Sequence, residues 1–236
     1  MPGTHSGKPI GLSIIVPVFN ESATLERVLR AVDARDEVSQ IVIVDDGSRD
    51  GSPEIVRTFP FRHPYVLVVH PANRGKGAAV RSGLEHANGD VVLVQDADLE
   101  YDPADYPGLL EPFADPDVMV VFGSRTFSSQ TAYSFWFVVG NRLVTLVTNM
   151  LYNTWISDME TCFKAMRREV WESLDLHSDG FDIEPEITAR VLRAGYRVYE
   201  VPVHYRARTR EEGKKLVWKD GVRALWVLLR LRLARP

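Results

Sequence analysis

The stretch LSIIVPVFNESATLERVLRAVDARDEVSQIVIVDDGS, Leu12 to Ser48, decides the fold class. Leu12–Val18 is an almost unbroken apolar run of strand length, as expected of a strand covered on both faces. Leu25, Val28, Leu29 and Val32 then recur at i, i+3, i+4 and i+7, the spacing of one apolar helix face, with Asn20 or Ser22 as the expected N-cap. Ile41–Val44 reads as a second buried strand. Strand, helix and strand in this order belong to a parallel sheet with the helix laid across it.

The alternation continues outward. Ser52-Pro53 is a good cap and first position for a short helix, Tyr65–Val69 is a third strand, and Gly77–Ala87 is helical. Val91–Val94 is a fourth strand, Pro103–Phe113 a helix and Val118–Phe122 a fifth strand. The second half is less regular. Ala132–Tyr152 is apolar and aromatic but interrupted by Asn141, Arg142 and Asn149, which suits a helix on a surface. Cys162–Met166 and Arg197–Val203 are strand-like, and Glu186–Ala194 is a helix ending at Gly195. Leu216–Leu233 sets Trp218, Trp226 and leucines among Lys219, Arg223, Arg230 and Arg232. Such a basic amphipathic helix suits a membrane interface, or a core contact with a solvated basic face. The expected fold is α/β, a mostly parallel central sheet flanked by helices.

Composition narrows the class. At 236 residues, 45% hydrophobic and 25% charged, the chain is of the ordinary globular kind. Cys162 is the single cysteine, so no internal disulfide forms and a reducing compartment is expected; Cys162 itself reads as a small core residue. Met1–Pro9 has no signal-peptide core and no stretch qualifies as a transmembrane span, so a cytoplasmic location is expected, with peripheral attachment to the membrane's cytoplasmic face. The chain carries −4, but Arg206–Pro236 carries +7, leaving −11 for residues 1–205. A basic tail on an acidic body is expected to meet an anionic surface, whereas its helical spacing lacks the base-stacking platform of a nucleic-acid binder.

The chemistry collects at strand ends, where open parallel sheets bind ligands. Asn20-Glu21 follows the first strand, Asp45-Asp46-Gly47-Ser48 the second and Asp96-Ala97-Asp98-Leu99-Glu100 the fourth. In extended backbone Asp96, Asp98 and Glu100 would point to one side and repel unless a cation lay between them. Oxygen donors without clustered Cys or His favour Mg²⁺ or Mn²⁺ over zinc. Asn73-Arg-Gly-Lys-Gly-Ala-Ala is a basic, glycine-rich turn entering a helix, suited to an anion. Neither the P-loop spacing nor Gly-x-Gly-x-x-Gly after the first strand is present, which leaves a nucleoside diphosphate held through a metal. None of the six histidines shows metal-ligand spacing.

Five motifs in order, Val-Pro-Val-Phe-Asn-Glu (16–21), Val-Asp-Asp-Gly-Ser (44–48), Asn-Arg-Gly-Lys-Gly (73–77), Asp-Ala-Asp-Leu-Glu (96–100) and Gly-Ser-Arg (123–125), resemble the family-2 glycosyltransferases of GT-A fold. Residues 158–164, 182–188 and 205–215 are also similar to the subgroup acting on dolichol or polyprenyl phosphate. The resemblance implies an inverting transfer of a hexose from a GDP- or UDP-sugar to a polyprenyl phosphate. It implies a glycosyltransferase domain over 11–205, with a donor half at about 11–125 and an acceptor half at about 126–205. Residues 1–10 would be a flexible lead, and 206–236 a basic loop and amphipathic helix. By matching position, Pro17, Val18, Phe19, Asn20, Glu21 and Asp46 would hold base and ribose, with Lys76, Asp96, Ala97 and Asp98 completing the donor site. Asp96, Asp98 and Glu100 would be the metal ligands; the family often has Gln at the last position. Arg125 and Arg142 resemble a pair meeting the acceptor phosphate or leaving diphosphate, and Arg206, Arg208, Lys214 and Lys215 a loop that closes over the donor. Asp98, Arg125, Asp158 and Arg206 are the expected catalytic set.

A phosphate acceptor is already anionic and needs no strong base, whereas a hydroxyl acceptor would need one from Asp158, Asp182 or Glu184. The alternatives are transfer to a soluble hydroxyl acceptor and a non-catalytic nucleotide-binding module. A nucleotidyltransferase would need a glycine-rich signature after the first strand, which Pro17-Val-Phe-Asn-Glu does not supply.

Overall fold

The computed structural model describes residues 10–125, 130–131, 135–208 and 218–234. Its central sheet uses β1 (Leu12–Val18), β2 (Val38–Asp45), β3 (Tyr65–Val69), β4 (Val91–Val94), β5 (Val120–Ser124), β7 (Lys164–Arg167) and β8 (Val198–Pro202). They lie in the order β3-β2-β1-β4-β7-β5-β8. β7 runs antiparallel to both its neighbours and every other pairing is parallel. β6 (Gln130–Thr131) and β9 (Tyr205–Arg206) form a separate two-stranded ribbon.

The apolar runs are strands because both of their faces are covered. Every residue of β4, and all but Pro17 of β1, is buried. Full burial of each Val, Leu or Ile contributes about 1.5–3 kcal/mol. α1 (Leu25–Asp33) buries Leu25, Val28, Leu29 and Val32, the face its spacing marks, but begins at Thr24 rather than at Asn20 or Ser22. Asn20 instead has φ 54° and closes the loop after β1, where its amide N–H donates to Ser48 Oγ and its Oδ1 accepts from Arg49 N–H. α2 (Ser52–Thr58) and α3 (Lys76–Leu84) follow as expected. The expected helix over 103–113 is three pieces: 3₁₀ turns at Pro103–Asp105 and Glu111–Ala114 flank α4 (Tyr106–Leu110). Pro103, Pro107 and Pro112 each lack a backbone donor, so a continuous ladder cannot form.

β1 and β4 are adjacent, with β2 continuing the sheet on one side and β7 on the other. The chain reverses its direction of winding there, and a crevice opens beyond the strands' carboxyl ends. A second apolar cluster forms where α5 (Phe135–Tyr152) and α7 (Ile183–Arg193) pack against α8 (Trp218–Leu233), around Val144, Ile156, Met159, Ala189, Val227 and Leu228. A short α6 (Arg168–Ser173) follows β7 directly and was not visible in the sequence pattern.

Candidate active site

A cavity occupies the crevice, and its wall includes Pro17, Val18, Phe19, Glu21, Asp46, Lys76, Asp96, Ala97, Asp98, Glu100, Arg125 and Arg208. The strand-end clusters therefore share one site. Asn20 is exposed and stands outside the wall, as do Arg142 on α5 and Arg206 on β9. Lys214 and Lys215 lie outside the described residues.

Asp46 is anchored before any ligand arrives. Its Oδ1 accepts from Arg74 N–H at 2.9 Å and lies 2.6 Å from His70 Nδ1, and its Oδ2 accepts from Gly75 N–H at 2.7 Å. His70, given no role by its spacing, is buried between Asp46 and Ser82, whose Oγ is 2.9 Å from His70 Nε2. These bonds also revise the reading of the glycine-rich turn as an open anion cradle. Two of its amides serve Asp46, and two beyond Lys76, those of Gly77 and Ala78, donate to the Asp179 carbonyl. Gly75 has φ 98°, and a Cβ there would collide with the Asp179 backbone, so glycine is required at this position. What the turn delivers to the site is Lys76, whose Nζ reaches Asp96 at 2.8 Å and Glu184 at 3.0 Å.

The acidic segment differs from its extended reading. After β4 the chain turns, Leu99 adopts φ 62°, and Glu100 N–H donates to Asp98 Oδ1. The three carboxylates are consequently each engaged by groups of the protein itself. Asp96 pairs with Lys76, and Asp98 with Arg208 Nη2 at 2.8 Å. Glu100 accepts from Tyr205 Oη at 3.0 Å and from Arg208 N–H at 2.9 Å, tying the strand β9 to the crevice. Arg208 also lies 3.3 Å from Glu21. The cation between the acids is thus a side chain from residue 208, which no local pattern could have placed there.

Among the described residues no group of three His, Cys, Asp or Glu side chains forms a ready metal cage. The expected set of Asp96, Asp98 and Glu100 is not preassembled, because Glu100 is spent on β9. The charge nevertheless fits a hard cation at Asp98. Burial, together with Asp96 and Glu100, pushes the Asp98 carboxyl up to about 7 against the pull of Arg208. A carboxylate so crowded gains more from a divalent ion than from a proton. Burial opposes ionisation of Asp96 too, but the Lys76 ammonium outweighs it and holds Asp96 below the usual range. Asp98, with Asp96 beside it, would hold such an ion once Arg208 gives way.

At the far side Arg125 is fixed by Asp158, with Nε to Oδ2 at 2.5 Å and Nη2 to Oδ1 at 2.7 Å, and lies over the Tyr205 ring at 4.8 Å. Asp158 is 1% exposed and also accepts from Asn141. It is a support for Arg125, with no free lone pair facing the cavity on either oxygen. Of the other expected bases, Glu184 lies between Lys76 and Lys164, and Asp182 is outside the cavity wall, where it caps Gly180 N–H. Glu160 is on the wall, and burial, with Glu184 and Asp158 adding to it, pushes its carboxyl up to about 7 despite Lys164 and Arg125. Cys162 is a buried core residue, as expected, and also meets the cavity beside Lys76.

Residues 13–174 match the model of Glycosyl transferase family 2. A low-salt glycan biosynthesis hexosyltransferase, Agl6 of Haloferax volcanii, is 29% identical over 206 residues, 85% of this chain and 49% of that protein. The undecaprenyl-phosphate 4-deoxy-4-formamido-L-arabinose transferase of Pseudomonas aeruginosa is 34% identical over 173 residues, 70% of this chain and 50% of that one. The chain spans about half the length of these curated relatives. Among solved structures, glucosyl-3-phosphoglycerate synthase from Mycobacterium tuberculosis, in complex with Mn²⁺ and UDP-glucose, superposes with a TM-score of 0.73 at 21% identity. That likeness covers 96% of this chain and 80% of the other, and is one of fold.

Proposed function

Because the chain belongs to glycosyltransferase family 2, we propose that it transfers a hexose from a nucleotide-sugar to a polyprenyl phosphate, with inversion, in a reaction assisted by Mg²⁺ or Mn²⁺. The observation that carries this reading is the switch-point cavity where Asp96 and Asp98 meet Lys76, Arg208 and Arg125. Pro17–Phe19 and the anchored Asp46 line the side suited to base and ribose, while the acids and cations suit the diphosphate. A divalent ion bound at Asp98 would neutralise the diphosphate. Arg208, released from Asp98, and Arg125 would stabilise charge on the departing nucleotide, usually the largest catalytic contribution. The wall's carboxylates outnumber its cations, so an anionic donor needs that added positive charge.

The polyprenyl acceptor is supported by the name of the Pseudomonas relative and by the outer faces of α5 and α8. Trp136, Val139, Leu143, Leu146 and Met150 on α5, and Val222, Trp226, Leu229 and Leu233 on α8, are exposed, with Arg142, Arg223, Arg230 and Arg232 exposed nearby in sequence. Among the described residues no helix is long and apolar enough to cross a membrane. An apolar face rimmed by arginine fits the headgroup region of an anionic leaflet, where a lipid phosphate is reached from the cytoplasmic side. The deciding experiment incubates the chain with a panel of UDP- and GDP-hexoses, Mn²⁺ or Mg²⁺ and a short polyprenyl phosphate, with products identified by mass. Glycosylated lipid phosphate supports the reading. Transfer only to a soluble phosphorylated hydroxyl compound, such as the phosphoglyceric acid bound to the Mycobacterium tuberculosis synthase, replaces the lipid half of it.

A further inference from the structure

The carboxylates on the cavity wall are committed, with one exception. Asp96 and Glu184 face Lys76, Glu21 and Asp98 face Arg208, Glu100 holds Tyr205, and Asp46 holds His70. Glu160 lines the same cavity, yet among the described residues no cation or hydrogen-bond donor reaches its carboxylate. It stands two positions after Asp158, the support of Arg125, and at the start of the segment leading into β7. The charged groups that act on it are Lys164, Glu184, Arg125 and Asp158, and each of those is paired elsewhere. A half-buried carboxyl with unspent lone pairs, in a cavity of otherwise satisfied acids, is placed for proton exchange with a ligand.

We propose that Glu160 is the catalytic group that takes the acceptor's proton during sugar transfer, an inference that rests on the transferase reading above. A wall rich in carboxylates favours a phosphate monoester bound as its monoanion over the dianion. As an acceptor oxygen bonds to the anomeric carbon, the bond from that carbon to the diphosphate oxygen breaks, and its electron pair leaves on the nucleoside diphosphate. The phosphodiester product keeps a single ionised acid, so the monoester's remaining proton must depart, and it passes to Glu160. The monoester's second ionisation lies at about 6, and the Glu160 carboxyl lies near 7, so the transfer is matched. With a hydroxyl acceptor the same carboxylate takes the hydroxyl proton.

The test compares wild type with Glu160→Gln, which keeps the side chain's shape, and with Glu160→Asp, using UDP- or GDP-hexose, Mn²⁺ and polyprenyl phosphate. Glu160→Gln is expected to lower turnover by about 100-fold or more, the usual yield of a positioned base. Calorimetric binding of nucleotide with Mn²⁺ should stay within about twofold, because no donor contact is removed. The wild-type kcat/KM for the lipid should be bell-shaped, falling below about pH 6 and above about pH 7, and Glu160→Gln should lose the acid-side fall, because only the acceptor's own ionisation remains. Glu160→Asp should restore part of the rate together with the acid-side fall. Turnover within about threefold of wild type, with the acid-side fall retained in Glu160→Gln, overturns the role. If wild type ignores polyprenyl phosphate, the lipid reading fails separately. The Glu160 comparison then runs on donor hydrolysis, with water as acceptor, where the wild-type rate should rise through about pH 7 and the Gln variant's should not.

Discussion

Asp158→Asn probes how the active site is held together. Both Asp158 oxygens serve Arg125, at 2.5 and 2.7 Å, and the carboxylate is 1% exposed. An amide keeps the shape but offers one acceptor oxygen and turns an NH₂ toward the guanidinium, donor against donor. Removing one charge of a buried pair costs about 3–5 kcal/mol, because the other charge is left without compensation. In a chain of this size that lowers the melting temperature by about 6–20 °C, measured by calorimetry or circular dichroism. Burial pushes the Asp158 carboxyl up, but Arg125 outweighs it, so the folded value lies below the ordinary 3.8. The contribution is therefore fully present above the unfolded value and is lost as pH falls through the folded one. The gap between wild type and Asp158→Asn should stay constant from about pH 8 to 5 and narrow only below about pH 4. Arg125→Gln added to Asp158→Asn removes both charges and should cost less than the two singles together, by about 1 kcal/mol or more. A single variant melting within about 2 °C of wild type, or strictly additive singles, would refute this account of the pair. Activity lost in Asp158→Asn reports a misplaced Arg125, so it does not identify the acceptor class; the mass of the glycosylated acceptor does that.

Three further outcomes are expected. Arg208→Gln frees Asp98 of its internal cation, and without nucleotide should tighten Mn²⁺ binding by about three- to tenfold, read by electron paramagnetic resonance; unchanged affinity would mean that arginine and metal do not compete. Gly77→Ala places a methyl group inside contact distance of the Ser178 carbonyl and should cost about 1–3 kcal/mol in chemical denaturation, along with a loosened Lys76; a neutral effect would show that the 178–179 segment yields freely. Met150→Glu and Trp226→Glu, both on exposed positions, should reduce flotation with anionic vesicles while the melting temperature moves by less than about 2 °C; equal recovery of all three chains would remove the membrane face.

The helix-spaced face of α1 and the buried runs of β1, β2 and β4 were legible because their periodicity is set by local geometry and by burial on one face or two. The shared strand-end position of Glu21, Asp46 and Asp96 was legible for the same reason, since parallel strands bring their carboxyl ends to one edge. Some local details escaped even so. The turn at Leu99 breaks the alternation that would have aligned Asp98 with Glu100, and Pro112 interrupts a helix whose apolar spacing continues past it.

Sequence alone determined which residue types meet at the crevice: acids after three strands, a lysine at a helix entrance, arginines after β5 and beyond β9. Only the tertiary structure decided who pairs with whom. Arg208 reaches Asp98 across 110 positions, His70 closes on Asp46 across 24, and Asp158 takes Arg125 and so ceases to be a free base, while Glu160 is left without a partner among the described residues. Charge attraction depends on distance and burial, and neither is written in local periodicity. The chain supplies the ions, and the packing of β7, β9 and α7 around the switch point distributes them.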